Sequence, residues 1–324
     1  MDGAEVVVKA LREEIARVLV GQEALVDGLL IGLLSGGHVL VEGVPGLAKT
    51  TAVRTLAQVL GLGFRRIQFT PDLLPSDLVG TPIFVPEGQR FEVHKGPVFS
   101  PVVLADEINR APAKVQSALL EAMEERQVTI GDQTFPLPEP FLVMATQNPI
   151  DLEGTYALPE AQVDRFLLKL QVHYPSAAEE LEIVARDGAG TPEVRAVANP
   201  EQILGLRAAA GQVHAADPVI DYAVRLVRAT REPDLAGAVL EIPERRPASG
   251  AVAVGASPRA SIFLCRAARA RALLEGRRFV TPHDVKRVAR DVLRHRLILS
   301  YEAEADGIDV EEVLRALLAA VETP

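Results

Sequence analysis

The sequence predicts an α/β protein: a parallel sheet sandwiched by helices, with two hairpin inserts, followed by an all-helical second domain. Three observations predict this class. In the first half of the 324-residue chain, short apolar runs alternate with helical stretches, as in parallel sheets covered on both faces. A glycine-rich loop follows the first apolar run, and beyond residue 175 alanine, arginine and leucine recur with helical spacing. We expect domains at residues 1–175 and 176–324.

Five apolar runs supply the strands of the predicted sheet. The first follows a helical region that is broken near Val20 and Gly21, and it precedes a helix over residues 51–60 that ends at Gly61. Another helix, residues 113–127, separates the third run from the fourth. Helices between successive strands favour parallel pairing, because each crossover covers one face of the sheet. The runs lie at residues 38–41, 64–69, 101–107, 141–147 and 165–172.

The first run leads into GVPGLAKT, which is close to the phosphate-binding pattern of glycine, four residues and Gly-Lys-Ser/Thr. Gly43 and Gly46 allow a tight turn with N–H groups aimed at phosphate, and Pro45 stiffens the loop. Lys49 supplies a charge for the terminal phosphates, and the Thr50 hydroxyl is a ligand for Mg²⁺. The candidate nucleotide-binding residues are Gly43, Val44, Pro45, Gly46, Leu47, Ala48, Lys49, Thr50 and Thr51.

Ala48 stands where the usual pattern has a second glycine. We expect a right-handed conformation for Ala48, because the residue before the lysine already enters the helix. On that expectation, replacement by glycine costs roughly 0.5–1 kcal/mol of stability and changes ATP affinity little.

Two segments interrupt the alternation and predict β-hairpin inserts, at about residues 81–99 and 126–140. Glu87-Gly88 and Gly131-Asp132 lie between short β-type runs, as turn residues do. The segment Gln127–Glu139 contains no Lys or Arg, and the first insert balances its basic residues with acidic ones. Such hairpins argue against a motor that tracks a phosphate backbone.

The second half of the chain has the spacing of an all-helical domain. Ser257-Pro258 and Thr281-Pro282 each place an N-cap residue before a proline in the first helical position. The predicted helices cover residues 200–212, 218–231, 258–275, 282–298 and 308–322.

Composition restricts the class of protein further. The formal net charge is −10, which disfavours broad nucleic-acid binding. The single cysteine, Cys265, excludes an internal disulfide and a cysteine-based zinc site. No apolar run approaches the roughly 20 residues that cross a bilayer, and no basic leader opens the sequence. We therefore expect a cytoplasmic protein without membrane insertion.

Polar side chains follow two of the later apolar runs. Asp106 ends the third run and can hold Mg²⁺ through water, and Glu107 can polarise an attacking water. Asn148 directly follows the fourth run, where an amide can orient that water or contact the γ-phosphate. Ligands bind at the carboxyl ends of strands in open α/β sheets, so these groups are expected to converge. Two arginines are candidates to act on phosphate: Arg165, before the last strand, and Arg259, the second residue of a predicted helix.

GVPGLAKT, LADEINRAP, ATQNP, LPEAQVDRF and GASPRA together resemble the MoxR family of AAA+ ATPases, over roughly residues 18–297. That family often carries the same alanine before the lysine. The resemblance implies Walker A at residues 43–50 and Walker B at Asp106-Glu107. It further implies sensor 1 at Asn148, an arginine finger at Arg165, sensor 2 at Arg259, and adenine contacts at Val20, Gly21 and Gln22. Arg110, next to Walker B, is a further candidate for contacts across a subunit boundary.

The resemblance also implies a function. Members of this family are ATPases that use ATP and Mg²⁺, typically as hexameric rings, and often work with a von Willebrand factor A (VWA) domain protein to mature a protein client or insert a metal cofactor. The hairpins look like the helix-2 and pre-sensor-1 inserts of this AAA+ branch. The alternatives are the ATPase subunit of a magnesium or cobalt chelatase, a nucleic-acid motor like the MCM helicases, and a small-molecule P-loop kinase.

Overall fold

The computed structural model describes residues 2–44, 46–86, 89–148, 154–187, 190, 192–232 and 250–324. The chain divides into two compact units. One consists of Val6–Phe166 and Leu170–Leu206, and the other is formed mainly by Arg207–Pro324. The domain boundary at residue 175 stays a prediction. Within the described ranges, no helix is both long enough and apolar enough to cross a membrane.

The strands and helices are numbered along the chain. The strands are β1 (Val39–Glu42), β2 (Phe64–Gln68), β3 (Gly80–Val85), β4 (Arg90–Lys95), β5 (Val102–Asp106), β6 (Gln127–Ile130), β7 (Gln133–Pro136), β8 (Leu142–Gln147), β9 (Leu168–Gln171), β10 (Val252–Val254) and β11 (Ile298–Leu299). The helices are α1 (Asp2–Ala16), α2 (Glu23–Leu34), α3 (Lys49–Val59), α4 (Pro75–Val79), α5 (Ala113–Glu125), α6 (Glu160–Val163), α7 (Ala177–Asp187), α8 (Pro200–Gln212), α9 (Asp217–Ala229), α10 (Pro258–Leu274), α11 (Pro282–Leu293), α12 (Tyr301–Ala305) and α13 (Val310–Ala320).

A five-stranded sheet has the order β2-β5-β8-β1-β9. β2 pairs with β5, β5 with β8 and β8 with β1, all in parallel. Leu40, Val103 and Val143 in the three central strands are fully buried, as expected when helices cover both faces of a sheet. The predicted parallel sheet is confirmed. Because the strands are parallel, β1, β5 and β8 bring their carboxyl ends to one edge.

Both predicted hairpin inserts are present. β3 pairs antiparallel with β4, and β6 pairs antiparallel with β7. Gly131 turns the second hairpin with φ 61°, and the predicted turn residues of the first, Glu87-Gly88, lie outside the described residues. The Lys95 ammonium of β4 lies 4.9 Å from the Phe99 ring centroid and 5.0 Å from that of Phe135 in β7. This cation–π contact connects the two inserts.

The C-terminal unit is helical, as predicted, and Thr281 caps α11 by accepting a hydrogen bond from the Asp284 N–H. The unit also contains a short antiparallel pair, β10 with β11, which the helical spacing did not predict.

Helix α11 ends at Leu293, whereas the spacing predicted a helix to residue 298. The difference arises because Ile298 and Leu299 pair with β10. The spacing also did not predict α12 of the C-terminal unit, nor α7, which belongs to the other unit. Part of the predicted break between Glu232 and Ser257 lies outside the described residues.

Candidate functional site

The candidate phosphate-binding loop connects the end of β1 to the start of α3. A Cβ atom at Gly43 would lie 2.9 Å from the Val172 carbonyl oxygen, closer than side chains tolerate, so this position requires glycine. Gly46 has φ 87°, in the left-handed region that glycine accepts at little cost. Lys49 is the first residue of α3, and its ammonium donates a hydrogen bond to the Gly43 carbonyl. Pro45 lies outside the described residues.

Ala48 differs from the sequence prediction. Its φ of 55° and ψ of 18° lie in the left-handed region, so the expected right-handed conformation is wrong. Ala48 is the N-cap residue of α3, which begins only at Lys49. An N-cap residue lies half outside its helix and takes the backbone angles that join the loop to that helix. Here those angles suit glycine, and a Cβ atom makes them unfavourable by about 1–2 kcal/mol.

Replacing Ala48 by glycine is therefore expected to stabilise the protein by about 1 kcal/mol, because the relief of the left-handed strain exceeds the added unfolded-state entropy. The free energy of unfolding in urea measures the effect. The matched control is Ala52→Gly in the interior of α3, which should lose about 1 kcal/mol or more. Equal losses in the two variants would contradict the left-handed conformation of Ala48.

The two carboxylates predicted to act on magnesium and water lie at the end of β5. The Thr146 hydroxyl of β8 donates a 2.6 Å hydrogen bond to Asp106 Oδ1, and accepts one of 2.9 Å from the Glu107 N–H. Glu107 has φ 57° and ψ 50°, a left-handed conformation, and is followed by a 3-10 turn over Ile108–Arg110. The chain therefore bends sharply where the second carboxylate begins.

Two residues of β2 complete this group, and sequence reasoning missed both. Arg66 donates from Nη2 at 2.6 Å and from Nε at 3.0 Å to Asp106 Oδ2. Gln68 donates from Nε2 to Glu107 Oε2 at 2.9 Å. Alternate residues of a strand share a face, and the register places Gln68 opposite Asp106. Polar residues at positions 66 and 68 of a short strand were the signal that could have indicated them.

The loop, the two carboxylates and Arg66 line one cleft of about 400 Å³ at the carboxyl edge of the sheet. It is lined by residues 46–51 of the loop and α3, by Asp106 and Glu107, and by Asn148, joined by Arg66, Thr146 and Gln147. Burial lowers the pKa of Lys49 below its usual value, against the opposing effect of the two carboxylates. A bound anion such as a phosphate would favour the charged form of this lysine.

The residues of the cleft fit a magnesium ion that arrives with a nucleotide. Thr50 supplies a hydroxyl and Asp106 a carboxylate, both hard oxygen ligands. Magnesium keeps several waters and binds substrate phosphates, so one or two protein ligands suffice. In the part of the chain that the structure describes, no group of three or more His, Cys, Asp or Glu side chains could hold a metal on its own.

The predicted adenine-contacting residues lie between α1 and α2, apart from the lining of this cleft. Gly21 and Gln22 both have left-handed backbone angles, with φ of 65° and 59°. A Cβ atom at Gly21 would meet the Glu179 carboxylate of α7 at 2.3 Å, and Gln22 Nε2 donates to the His173 carbonyl at 3.3 Å. The roles of these residues and of Val20 in adenine binding stay predictions.

The three candidate arginines have different surroundings. Arg165 lies outside the cleft lining, and its Nε is 3.0 Å from Glu124 Oε2, so its ion-pair partner is a residue of α5. Arg110 Nε lies 3.3 Å from Glu107 Oε2 within the same chain. Arg259 is the second residue of α10, in the C-terminal unit. The roles of all three in trans or at phosphate stay predictions.

The structure has a glycine-rich loop between β1 and α3, acidic and amide side chains on the neighbouring strand ends, and a helical unit that follows. These features define the P-loop domain and lid of an AAA+ protein. Comparison with known proteins gives the same class. The profile of the ATPase family associated with various cellular activities (AAA) matches residues 38–168, and that of the AAA lid domain matches residues 246–317.

Proteins that are similar to this chain over nearly its whole length identify its family. Chaperone MoxR1 of Mycobacterium tuberculosis is 52% identical over 96% of this chain and 81% of its own length. Protein MoxR of Methylorubrum extorquens is 36% identical over 96% of this chain and 93% of its own length. The crystal structure of a candidate ATPase from Cytophaga hutchinsonii, 48% identical, superposes with a TM-score of 0.91 over 99% of this chain and 96% of that one. The chain belongs to the MoxR family of AAA+ ATPases.

Proposed function

We propose that this protein hydrolyses ATP to ADP and phosphate with the help of Mg²⁺. The observation that carries the proposal is the convergence of Lys49, Asp106, Glu107 and Asn148 on one cleft. These are a cation for phosphate, a ligand for the metal, a base for water and an amide to orient that water. Catalysis of phosphoryl transfer consists almost entirely of such positioning and charge stabilisation.

Each side chain has a role that follows from its place in the cleft. The Lys49 ammonium, at the start of α3, binds the β- and γ-phosphates, and the helix N-terminus adds partial positive charge. Thr50 and Asp106 would hold magnesium, which neutralises phosphate charge when bound. Glu107 takes the proton of the attacking water, and Asn148, only 8% exposed, fixes the direction of attack.

The proposal is tested by nucleotide binding. Lys49→Ala should weaken the binding of a fluorescent ATP analogue by about 10²-fold or more, because it removes a charge-assisted contact to phosphate. Lys114→Ala, which removes an exposed lysine of α5, should leave the affinity unchanged. Wild-type protein that neither binds the analogue nor releases phosphate from ATP in magnesium would overturn the proposed function.

We further propose that the active form is a homo-hexameric ring in the cytoplasm that matures or remodels a protein client, with a VWA-domain protein as its partner. The relative from Mycobacterium tuberculosis is named a chaperone, which supports a protein client. Insertion of a metal cofactor into that client is a specific form of this activity. An arginine supplied by the neighbouring subunit would explain why a ring is needed, since it stabilises charge that each subunit leaves uncompensated.

Protein clients are favoured over nucleic acid by the first hairpin. Arg90 donates to Glu92 within β4 at 2.6 Å, and Lys95 is engaged by two phenylalanine rings. Glu92 therefore balances the charge of Arg90 within the hairpin, and the single charge left on Lys95 makes a poor site for a phosphate backbone.

A further inference from the structure

Thr146 is a buried hydroxyl residue that contacts both carboxylate residues of the site. It lies in β8, beside β5, and is only 1% exposed. Its Oγ1 donates to Asp106 Oδ1 at 2.6 Å and accepts from the Glu107 N–H at 2.9 Å. One hydroxyl thus bonds the side chain of one residue and the main chain of the next. Among small side chains, only a hydroxyl can donate and accept in this way.

The bond to Glu107 constrains an unfavourable backbone. Glutamate rarely adopts positive φ, and Glu107 has φ 57°. Such conformations persist only where the surroundings fix them, and they concentrate at functional sites. The carboxylate of Glu107 is fixed separately, since Gln68 Nε2 donates to its Oε2 at 2.9 Å. Thr146 therefore holds the backbone of Glu107, whereas Gln68 and Arg110, whose Nε lies 3.3 Å from Oε2, hold its carboxylate.

The bond to Asp106 constrains the proposed metal ligand. Its Oδ2 accepts from Arg66 at 2.6 Å, on the side of the edge strand β2. Its Oδ1 accepts from Thr146, on the side of β8. With one oxygen bonded from each side, the plane of the carboxylate is defined. Loss of the Thr146 hydroxyl would leave only the two bonds from Arg66, whose guanidinium competes with a cation for the same charge.

We propose that Thr146 is a positioning residue for ATP hydrolysis, fixing the orientation of Asp106 for magnesium and the left-handed backbone of Glu107 for attack by water. This inference rests on the proposed ATPase function. It assigns no chemical step to Thr146 itself: the residue acts through the two carboxylates, as outer-shell partners of metal ligands do.

Two substitutions separate the hydroxyl from the shape of the side chain. Thr146→Val keeps the branched shape and removes both hydrogen bonds, whereas Thr146→Ser keeps the hydroxyl and removes a methyl group. For Thr146→Val we expect turnover to fall about 10²-fold, and the gain in ATP-analogue affinity on adding Mg²⁺ to shrink about 10-fold. Affinity measured in EDTA should change less than about 2-fold, because Lys49 and the loop are untouched. Thr146→Ser should restore both quantities to within about 3-fold of wild type.

Thr230 offers a matched control in the C-terminal unit. It is also buried, and its hydroxyl donates to the Val227 carbonyl at 2.6 Å and accepts from the Ala256 N–H at 2.9 Å. Thr230→Val therefore also loses one donated and one accepted hydrogen bond, although Thr230 donates to a carbonyl where Thr146 donates to a carboxylate. It should lower the melting temperature about as much as Thr146→Val, while the magnesium-dependent gain in nucleotide affinity stays at the wild-type value.

The outcomes distinguish this inference from the proposed function. A wild-type protein that binds and hydrolyses ATP, with Thr146→Val equal to it in turnover and magnesium dependence, would overturn the positioning role alone. Equal impairment of Thr146→Ser and Thr146→Val would also overturn it, since packing and not the hydroxyl would then matter. If Thr146→Val does not fold, Thr146→Ala removes the hydroxyl without adding an apolar branch and is compared with Thr146→Ser in the same assays.

Discussion

Glu107→Gln is expected to bind ATP with an affinity within about 3-fold of wild type and to hydrolyse it about 10³-fold more slowly. Glutamine has nearly the size of glutamate but cannot accept a proton from water, and general-base catalysis contributes roughly 10²–10⁴-fold in rate. Binding should survive, because on the proposed roles Lys49 and the loop would hold phosphate, and Thr50 and Asp106 would hold magnesium. The two quantities are measured separately, by titration with a fluorescent ATP analogue and by phosphate release.

The control for this variant is Glu121→Gln, which makes the same chemical change at an exposed position of α5. It should leave both quantities unchanged. Loss of binding in Glu107→Gln would indicate a structural effect, which the melting temperature would reveal. Hydrolysis at the wild-type rate with intact binding would show that another group activates the water, and the assignment of Glu107 as catalytic base would be wrong.

The sheet and its nucleotide loop could be predicted because their signals are local. An apolar run such as Val39–Val41 followed by glycines, a lysine and a helix specifies a strand, a turn and an N-terminal anion site within a dozen residues. Asp106, Glu107 and Asn148 could be predicted for the same reason. Each ends a buried run, and parallel strands bring their carboxyl ends to one edge.

For residues on a neighbouring strand, the local signal was only the polar pattern of a short run, which does not show where that strand lies in the sheet. Arg66 and Gln68 contact Asp106 and Glu107 because β2 lies next to β5. The order of the strands in the sheet is not encoded in the spacing of a single run. β10 and β11 pair across a long separation in the sequence, so helical spacing alone extended α11 too far. The prediction for Ala48 was wrong for a different reason. The loop geometry fixes its backbone angles in the left-handed region, where alanine is less stable than glycine. The high helix propensity of alanine pointed instead to a right-handed conformation.

Arg165 tests whether the protein works as a ring. Its side chain is 32% exposed, and its Nε pairs with Glu124 Oε2 at 3.0 Å across the surface of one chain. A surface ion pair of this kind contributes roughly 0–1 kcal/mol to stability, so on that role alone Arg165→Ala would change little. On the proposed role, the guanidinium completes the cleft of a neighbouring subunit and stabilises transition-state charge there. The two roles therefore differ by orders of magnitude in the expected turnover.

Arg165→Ala is expected to bind ATP normally and to lose about 10³-fold or more in turnover. Mixing it with Lys49→Ala protein should restore part of the activity, because the intact Arg165 of one subunit can serve the intact loop of the other. Glu124→Gln, which removes only the partner within the chain, should keep nearly full turnover. Wild-type specific activity should also rise with protein concentration over the range in which the ring assembles, since an isolated subunit lacks its neighbour's arginine. If mixing gives no rescue, and a subunit shown by sedimentation to be monomeric hydrolyses ATP at a concentration-independent specific rate, the ring is not required and each chain is a complete ATPase.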